Sequence, residues 1–224
     1  MQRNIINTKD GSHTIQIPDM KVTYHSIHGA ISESLHVFIE AGFNYWHTTH
    51  ATSPCSILEM GFGTGLNALL TLQQVQSNQL PVVYESLEAY PLNATEVQGL
   101  NYTEQLQRPD LKDTFQLLHT SEWNIPVKVH PYFTLIKHYN KLQTFETSQL
   151  FDIIYYDAFA PSGQPELWTA AIFRQLLHLL HEDGLLVTYC AKGDVRRAMQ
   201  AAGLLVAKLP GPPGKREMLR ATKK

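Results

Sequence analysis

Apolar residues in this chain fall into short runs separated by polar, Gly- or Pro-marked breaks, and from Ser56 onward these runs alternate with helical stripes. Residues 12–24 alternate weakly and predict a hairpin turned at Pro18-Asp19. The next segment, residues 24–40, carries Ile31, Leu35, Phe38 and Ile39 at helical spacing, with Gly42 offering a C-terminal stop. Residues 56–59 read as a buried strand and the run from Asn67 as a helix behind a glycine turn. Residues 81–88 predict a second strand, and residues 91–120 read as helical with a break near Pro109. A third strand over 126–133 is weak because Pro131 interrupts it. The apolar run 151–157 predicts a fourth strand covered on both faces. Over 166–181, Leu167, Ala170, Phe173, Leu176, Leu177 and Leu180 make one stripe, followed by a strand at 184–190 and a helix at 194–202.

The last two strands, 204–209 and 217–221, are joined by residues 210–216. That linker is too short for a crossover helix, which takes a dozen or more residues, so the two must pair antiparallel. The pattern predicts an α/β fold: a seven-stranded, mostly parallel sheet with an antiparallel C-terminal hairpin. A small N-terminal hairpin/helix module over residues 1–50 precedes the main domain, 51–224, and reads as a lid or substrate platform.

Composition changes this picture little. With 224 residues, 43% hydrophobic and 17% charged, the chain can bury a full core. No run approaches the ~20 apolar residues of a membrane span, and the N-terminus lacks the apolar stretch of a signal peptide. Cys55 and Cys190, far apart and beside core strands, read as free thiols of a cytoplasmic protein, without metal spacing. Charge is more informative. The net −2 hides a basic end: Lys192, Arg196, Arg197, Lys208, Lys215, Arg216, Arg220, Lys223 and Lys224, against only Asp194 and Glu217. A polyanion such as RNA suits that end, and a merely solvated tail is the competing reading.

Candidate chemistry begins at Glu59-Met-Gly-Phe-Gly-Thr-Gly-Leu-Asn67. Glycines at every second position let the backbone approach a ligand or take φ > 0 cheaply, ahead of a helix whose N-terminal amides face that ligand. The dinucleotide fingerprint needs a third glycine where Leu66 stands. The spacing instead resembles motif I of S-adenosylmethionine methyltransferases, and a terminal hairpin in place of another crossover agrees with it. Glu88 closes the second strand, where an acid can accept ribose hydroxyls. Glu59, at a buried strand end, needs a cationic partner, and the methionine ammonium group is a suitable one. Asp157-Ala-Phe-Ala-Pro161 ends the fourth strand and resembles the Asp-Pro-Pro-Tyr type motif of amine-methylating enzymes. An alkylamine is mostly protonated near neutral pH, and a carboxylate such as Asp157 can take that proton or orient the neutral amine. A helix cap is the competing role.

Five stretches taken together are more specific: Tyr24-His-Ser-x-x-Gly-Ala-x-x-Glu-Ser-x-His-Val-Phe38, the glycine turn, Asp157 to Pro161 with Pro165-Glu-Leu-Trp168, Val195-Arg-Arg197 and Gly214-Lys-Arg-Glu-Met-Leu219. In this order they resemble the methyltransferase half of the MnmC-type family, also found free-standing as MnmD. The resemblance implies a Rossmann-like class I fold and methylation of the 5-aminomethyl group of wobble (2-thio)uridine, in the anticodon stem-loop of tRNA, from S-adenosylmethionine. It assigns the cofactor to Glu59, Gly61, Phe62, Gly63, Thr64, Gly65 and Asn67, with Glu88 and Asp157. Asp157 is also the catalytic group it implies. Tyr24, Ser26, Glu33, Phe159, Pro161, Trp168, Lys215 and Arg216 would line the uridine and RNA backbone. Bifunctional relatives continue into a flavin-dependent oxidase. No flavin domain is expected here, so the aminomethyl group would come from a separate oxidase or from upstream synthesis enzymes. Many relatives place Gly-Asp after the third strand to meet adenine. Here His130-Pro-Tyr-Phe133 is expected there, leaving that role to backbone or Tyr132. Rival readings are a small-molecule amine methyl- or aminopropyltransferase, an NAD-dependent oxidoreductase, and a non-catalytic RNA-binding module.

Overall fold

The computed structural model describes residues 2–51 and 53–223, so Lys224 of the basic end lies outside the described residues. The chain opens with a three-stranded antiparallel sheet in the order β1 (Asn4–Asn7), β2 (His13–Ile17), β3 (Val22–Thr23). The expected turn at Pro18-Asp19 is there, as a tight helical turn closed by Lys21 at φ 53°. The first strand went unpredicted because Ile5 and Ile6 are adjacent and show no period of two.

Helix α1 covers residues 30–49, with wide π-helical turns over Leu35–Asn44. It does not stop at Gly42. Phe43 and Trp46 continue its buried face, and a Cβ at Gly42 would lie 3.1 Å from Val187 and 3.2 Å from Tyr155. That glycine is a point of close approach between helix and sheet, not a terminator.

The main sheet is built from β4 (Cys55–Met60), β5 (Val82–Leu87), β6 (Pro126–His130), β7 (Phe133–His138), β8 (Phe151–Tyr156), β9 (Leu180–Thr188), β10 (Leu205–Pro210) and β11 (Glu217–Thr222). Its order is β10-β11-β9-β8-β4-β5-β7-β6, eight strands rather than seven. Five run parallel, as expected: β4, β5, β7, β8 and β9. The third of these is not residues 126–133, however. Residues 126–130 form the antiparallel edge strand β6, and the parallel strand is β7. Lys137 disguised it: Phe133, Leu135 and Lys137 all point inward, and an inward lysine breaks the apolar alternation. The C-terminal hairpin pairs antiparallel as its short linker requires, with β11 between β10 and β9.

Helices α2 (Leu66–Asn78), α3 (Lys112–Thr120), α4 (Ala170–His178) and α5 (Gly193–Ala201) complete the described framework with shorter turns. The stripe expected over 166–181 is divided: a tight turn at Pro165–Trp168, then α4, whose N-terminus Thr169 caps through its side chain, then β9 from Leu180. Strand β8 shows how the core forms. Ile153 and Tyr155 pack on one face with Phe38, Phe43 and Tyr84, while Ile154 and Tyr156 pack on the other with Phe173 and Leu176. Each such side chain contributes about 1.5–3 kcal/mol by leaving water.

Candidate active site

The C-terminal ends of β4, β5 and β8 converge on a cavity of about 340 Å³. The glycine turn forms its floor. Gly61, Gly63 and Gly65 have φ of 96°, 50° and 71°, which side chains rarely tolerate. A Cβ at Gly63 would meet the Tyr24 ring at 3.0 Å, and one at Gly61 the Asp157 carbonyl at 3.1 Å. Backbone amides of Gly61 and Phe62 donate to the Leu87 carbonyl at 3.0 and 3.1 Å. The Gly63 amide donates to Glu88 Oε2 at 2.8 Å, and Tyr90 N–H to Glu88 Oε1 at 2.7 Å. Glu88 therefore pins the turn and lines the cavity at once.

Beside the turn lies a cluster of acceptors. Asn67 Nδ2 donates to Asp157 Oδ2 at 2.9 Å, leaving Asn67 Oδ1 buried without a partner. Glu59 is fully buried; Ser86 donates to its Oε2 at 2.7 Å, and its Oε1 has no partner. Burial pushes the Asp157 carboxyl up to about 7, with the Glu33 charge adding and the Asn67 hydrogen bond and Lys215 opposing. Burial likewise pushes Glu59 up to about 8, Ser86 opposing and Asp157 adding. The half-buried Asp157 carboxyl and the unpartnered Asn67 Oδ1 favour a cation, since an unsatisfied buried acceptor costs about 1–3 kcal/mol.

The N-terminal residues cover this floor. The Tyr24 and Phe159 rings meet edge to face, 5.1 Å between centroids, and both line the cavity. Arg3, Ile17 and Met20 line it too; Arg3 donates to the Tyr90 carbonyl at 2.6 Å and the Pro91 carbonyl at 3.2 Å and pairs with Glu96. Glu33 and Ser26 lie outside the lining. The buried Glu33 carboxylate accepts Ser26 N–H at 2.6 Å and forms an ion pair with Lys215. The Lys215 ammonium sits 3.9 Å from the Tyr189 ring centroid, and the Tyr189 hydroxyl donates to the Ala158 carbonyl at 2.8 Å. Arg216 is exposed on the same loop as Lys215.

Pro161 and Trp168 stand apart, beside a separate shallow pocket with Lys192 and Asp194. The buried Trp168 indole donates to the Phe159 carbonyl at 2.8 Å and packs on Tyr156, so it braces the Phe159 segment from behind. Gly65 opens α2, and Thr64, Phe62 and Asn67 line the cavity beside it.

The expectation for residues 130–133 is corrected by topology. They form the turn from β6 into the start of β7, and the Tyr132 carbonyl accepts Val82 N–H at the start of β5, at the end of the sheet opposite the cavity. Tyr132 cannot reach a ligand there. The segment after β7 supplies Lys141 and Gln143 to the lining. Lys141, Gln143 and Arg3 were missed. Placing β7 correctly would have put the first two at a strand's C-terminal end, whereas nothing local marks Arg3.

Comparison with known proteins gives this geometry a family. A family model described as S-adenosyl-L-methionine-dependent methyltransferase matches residues 87–224. The chain is 30% identical over 210 residues to the tRNA 5-methylaminomethyl-2-thiouridine biosynthesis bifunctional protein MnmC of Leptospira interrogans, covering 88% of this chain and 32% of that protein. With the Aeromonas hydrophila protein of the same name the identity is 31% over 216 residues, covering 88% and 32%. The chain thus spans about a third of the length of the curated relatives it matches. The crystal structure of MnmC2 from Aquifex aeolicus superposes with a TM-score of 0.80 at 25% identity, over 100% of this chain and 70% of that one. Spermidine synthase from Thermotoga maritima, with a TM-score of 0.50 at 14% identity over 100% and 72%, shares the fold alone. This chain belongs to the S-adenosyl-L-methionine-dependent methyltransferase family.

Proposed function

We propose that this chain methylates the 5-aminomethyl nitrogen of a wobble (2-thio)uridine in tRNA, giving the 5-methylaminomethyl nucleoside. The observation that carries the reading is Asp157: a half-buried carboxyl held by Asn67, at the end of β8, beneath the Tyr24–Phe159 mouth. When bound, S-adenosylmethionine supplies an electrophilic methyl group on a sulfonium. Residues 61–64 would cradle it, Glu88 would accept its ribose hydroxyls, and Asn67 would meet its cationic end, with the fully buried Glu59 behind these residues and outside the lining. These residues fit a cationic nucleoside because Asn67, with its unpartnered Oδ1, and the Asp157 carboxyl line the floor beside Gly61 and Gly63, which carry no Cβ.

Asp157 faces the other reactant in this reading. With its carboxyl at about 7, it is close to balanced between charged and neutral forms near neutral pH. It can take a proton from an arriving ammonium, or accept N–H from the neutral amine and aim the nitrogen lone pair. Alignment supplies most of the remaining catalysis, because a methyl transfer needs its nucleophile held on one axis. Tyr24 and Phe159 offer aromatic surface to an extruded base, and the exposed Arg216 with α5 offers positive charge to the RNA backbone, while Lys215 is held by Glu33. Glu33 holds Lys215 and the Ser26 amide, and Trp168 holds the Phe159 carbonyl from behind. The named activity of the relatives supports tRNA as substrate, as does the basic C-terminal end.

The test is nucleoside mass spectrometry of tRNA from cells lacking this protein. Accumulation of 5-aminomethyl (2-thio)uridine at the wobble position is expected, and an unchanged nucleoside profile overturns the proposal.

A further inference from the structure

The peptide joining Thr64 to Gly65, where the glycine turn becomes α2, is held from outside the site. His119, in the last turn of α3, places Nε2 3.0 Å from the Thr64 carbonyl. A carbonyl oxygen only accepts, so Nε2 carries the proton. The same nitrogen fills the space of a Gly65 Cβ, which would lie 2.9 Å from it. The ring is wedged edge-on between Phe62 and Phe115, at 5.1 and 5.0 Å between centroids. His119 is gripped in turn. Lys137, buried on β7, donates from Nζ to the His119 carbonyl at 2.5 Å. Its ammonium lies 4.5 Å from the Trp123 ring centroid and 5.4 Å from that of Phe62. Burial lowers both groups, His119 to about 4 and Lys137 to about 8, so at neutral pH the ring is neutral and the ammonium still charged. Neither residue lines the cavity.

We propose that His119 is a positioning residue for the cofactor loop: its Nε2–H holds the Thr64 carbonyl, and Lys137 fixes His119 by its own carbonyl. The inference rests on the reading that residues 61–65 hold the cofactor. Without the clamp, the Thr64–Gly65 peptide is held only through Gly65, whose N–H donates to the Phe62 carbonyl and whose carbonyl accepts from Leu69, so the Thr64 carbonyl is loosened and the α2 amides lose part of their aim at the ligand. The buried lysine then has a purpose that core packing does not supply, since an ammonium in an apolar layer is costly unless it secures a specific acceptor.

The test compares His119→Gln, whose amide nitrogen reaches the Nε2 position, with His119→Leu and Lys137→Met. The readouts are S-adenosylmethionine affinity by calorimetry, steady-state methyl transfer, and hydrogen exchange of amides 61–66. In His119→Leu, Kd and KM for S-adenosylmethionine are expected to rise about tenfold, the size of one neutral hydrogen bond. Its kcat at saturation should stay within about twofold, and loop exchange should quicken while the amides of β4, β5 and β8 stay protected. His119→Gln restores the wild-type values, and Lys137→Met repeats the leucine pattern more weakly. Unchanged loop exchange and affinity in His119→Leu, or glutamine as poor as leucine, overturns the proposal. If His119→Leu does not fold, the glutamine and methionine variants decide on the same readouts. If the wild-type chain fails to bind S-adenosylmethionine, the cofactor assignment falls, and loop exchange alone judges the clamp.

Discussion

Asp157 concentrates the chemistry into one side chain. Asp157→Asn keeps its shape and a partner for Asn67 while removing the charge. S-adenosylmethionine affinity is expected to stay within a few-fold and methyl transfer to fall about 10²–10⁴-fold, measured by single-turnover assays under saturating conditions. Stability should report the same environment. The Asp157 carboxyl rises from its ordinary 3.8 to about 7, and that of Glu59 from 4.5 to about 8. As pH climbs through these windows the unfolded chain releases protons that the folded chain retains, so stability falls. His25 and His119, lowered by burial from 6.5 to about 4, act oppositely, their stabilisation being lost as pH drops from 6.5 toward 4. Between pH 6.5 and 8 the two carboxyls outweigh the residual histidine titration and the opposing rise from Lys137, lowered to about 8. The ligand-free protein should therefore lose thermal stability from pH 6.5 to 8, and Glu59→Gln should flatten that loss in a series of melts.

At the scale of elements, helix α1 and strand β7 are where reading the chain locally went astray, each through one residue. Gly42 has the form of a helix stop, yet it lies where α1 presses on Val187 and Tyr155. Gly42→Val should overpack that contact, lowering stability by about 1–3 kcal/mol, read as a lower denaturant midpoint with an unchanged slope. Lys137 made β7 look polar and moved the third parallel strand to residues 126–133. The same shift puts residues 130–133, where an adenine contact is expected, at the end of the sheet opposite the cavity. The other parallel strands were legible because each carries an unbroken apolar stretch, such as Ile57-Leu58, Val82-Val83-Tyr84 or Ile153-Ile154, which needs no knowledge of its neighbours. The glycine turn, Glu88 and Asp157 were legible for a similar reason: each lies at the end of such a run, and in a parallel sheet those ends gather on one side.

The whole molecule decides how Lys215 and Arg216 share the basic end. Lys215 is engaged with Glu33, 182 residues away, while Arg216 is exposed. Their loss should therefore separate. Arg216→Ala is expected to weaken tRNA binding and reduce the slope of log K against log salt by about one. Lys215→Ala should leave that slope nearly unchanged and depress methyl transfer, because it strips a buried carboxylate of its partner close to Asp157. Filter binding across salt concentrations, paired with turnover assays, distinguishes the two.

Residues adjacent in the chain carried the α/β alternation, the glycine turn before a helix, the acids at strand ends and the antiparallel closure, since each follows from local period, backbone freedom or linker length. Only the tertiary structure brought Tyr24 over Gly63, Glu33 to Lys215, His119 to Thr64 and Arg3 to the rim, and only it inserted β11 beside β9. Those pairings join segments tens to hundreds of residues apart. They are selected by which faces can be buried together, and no local pattern records that.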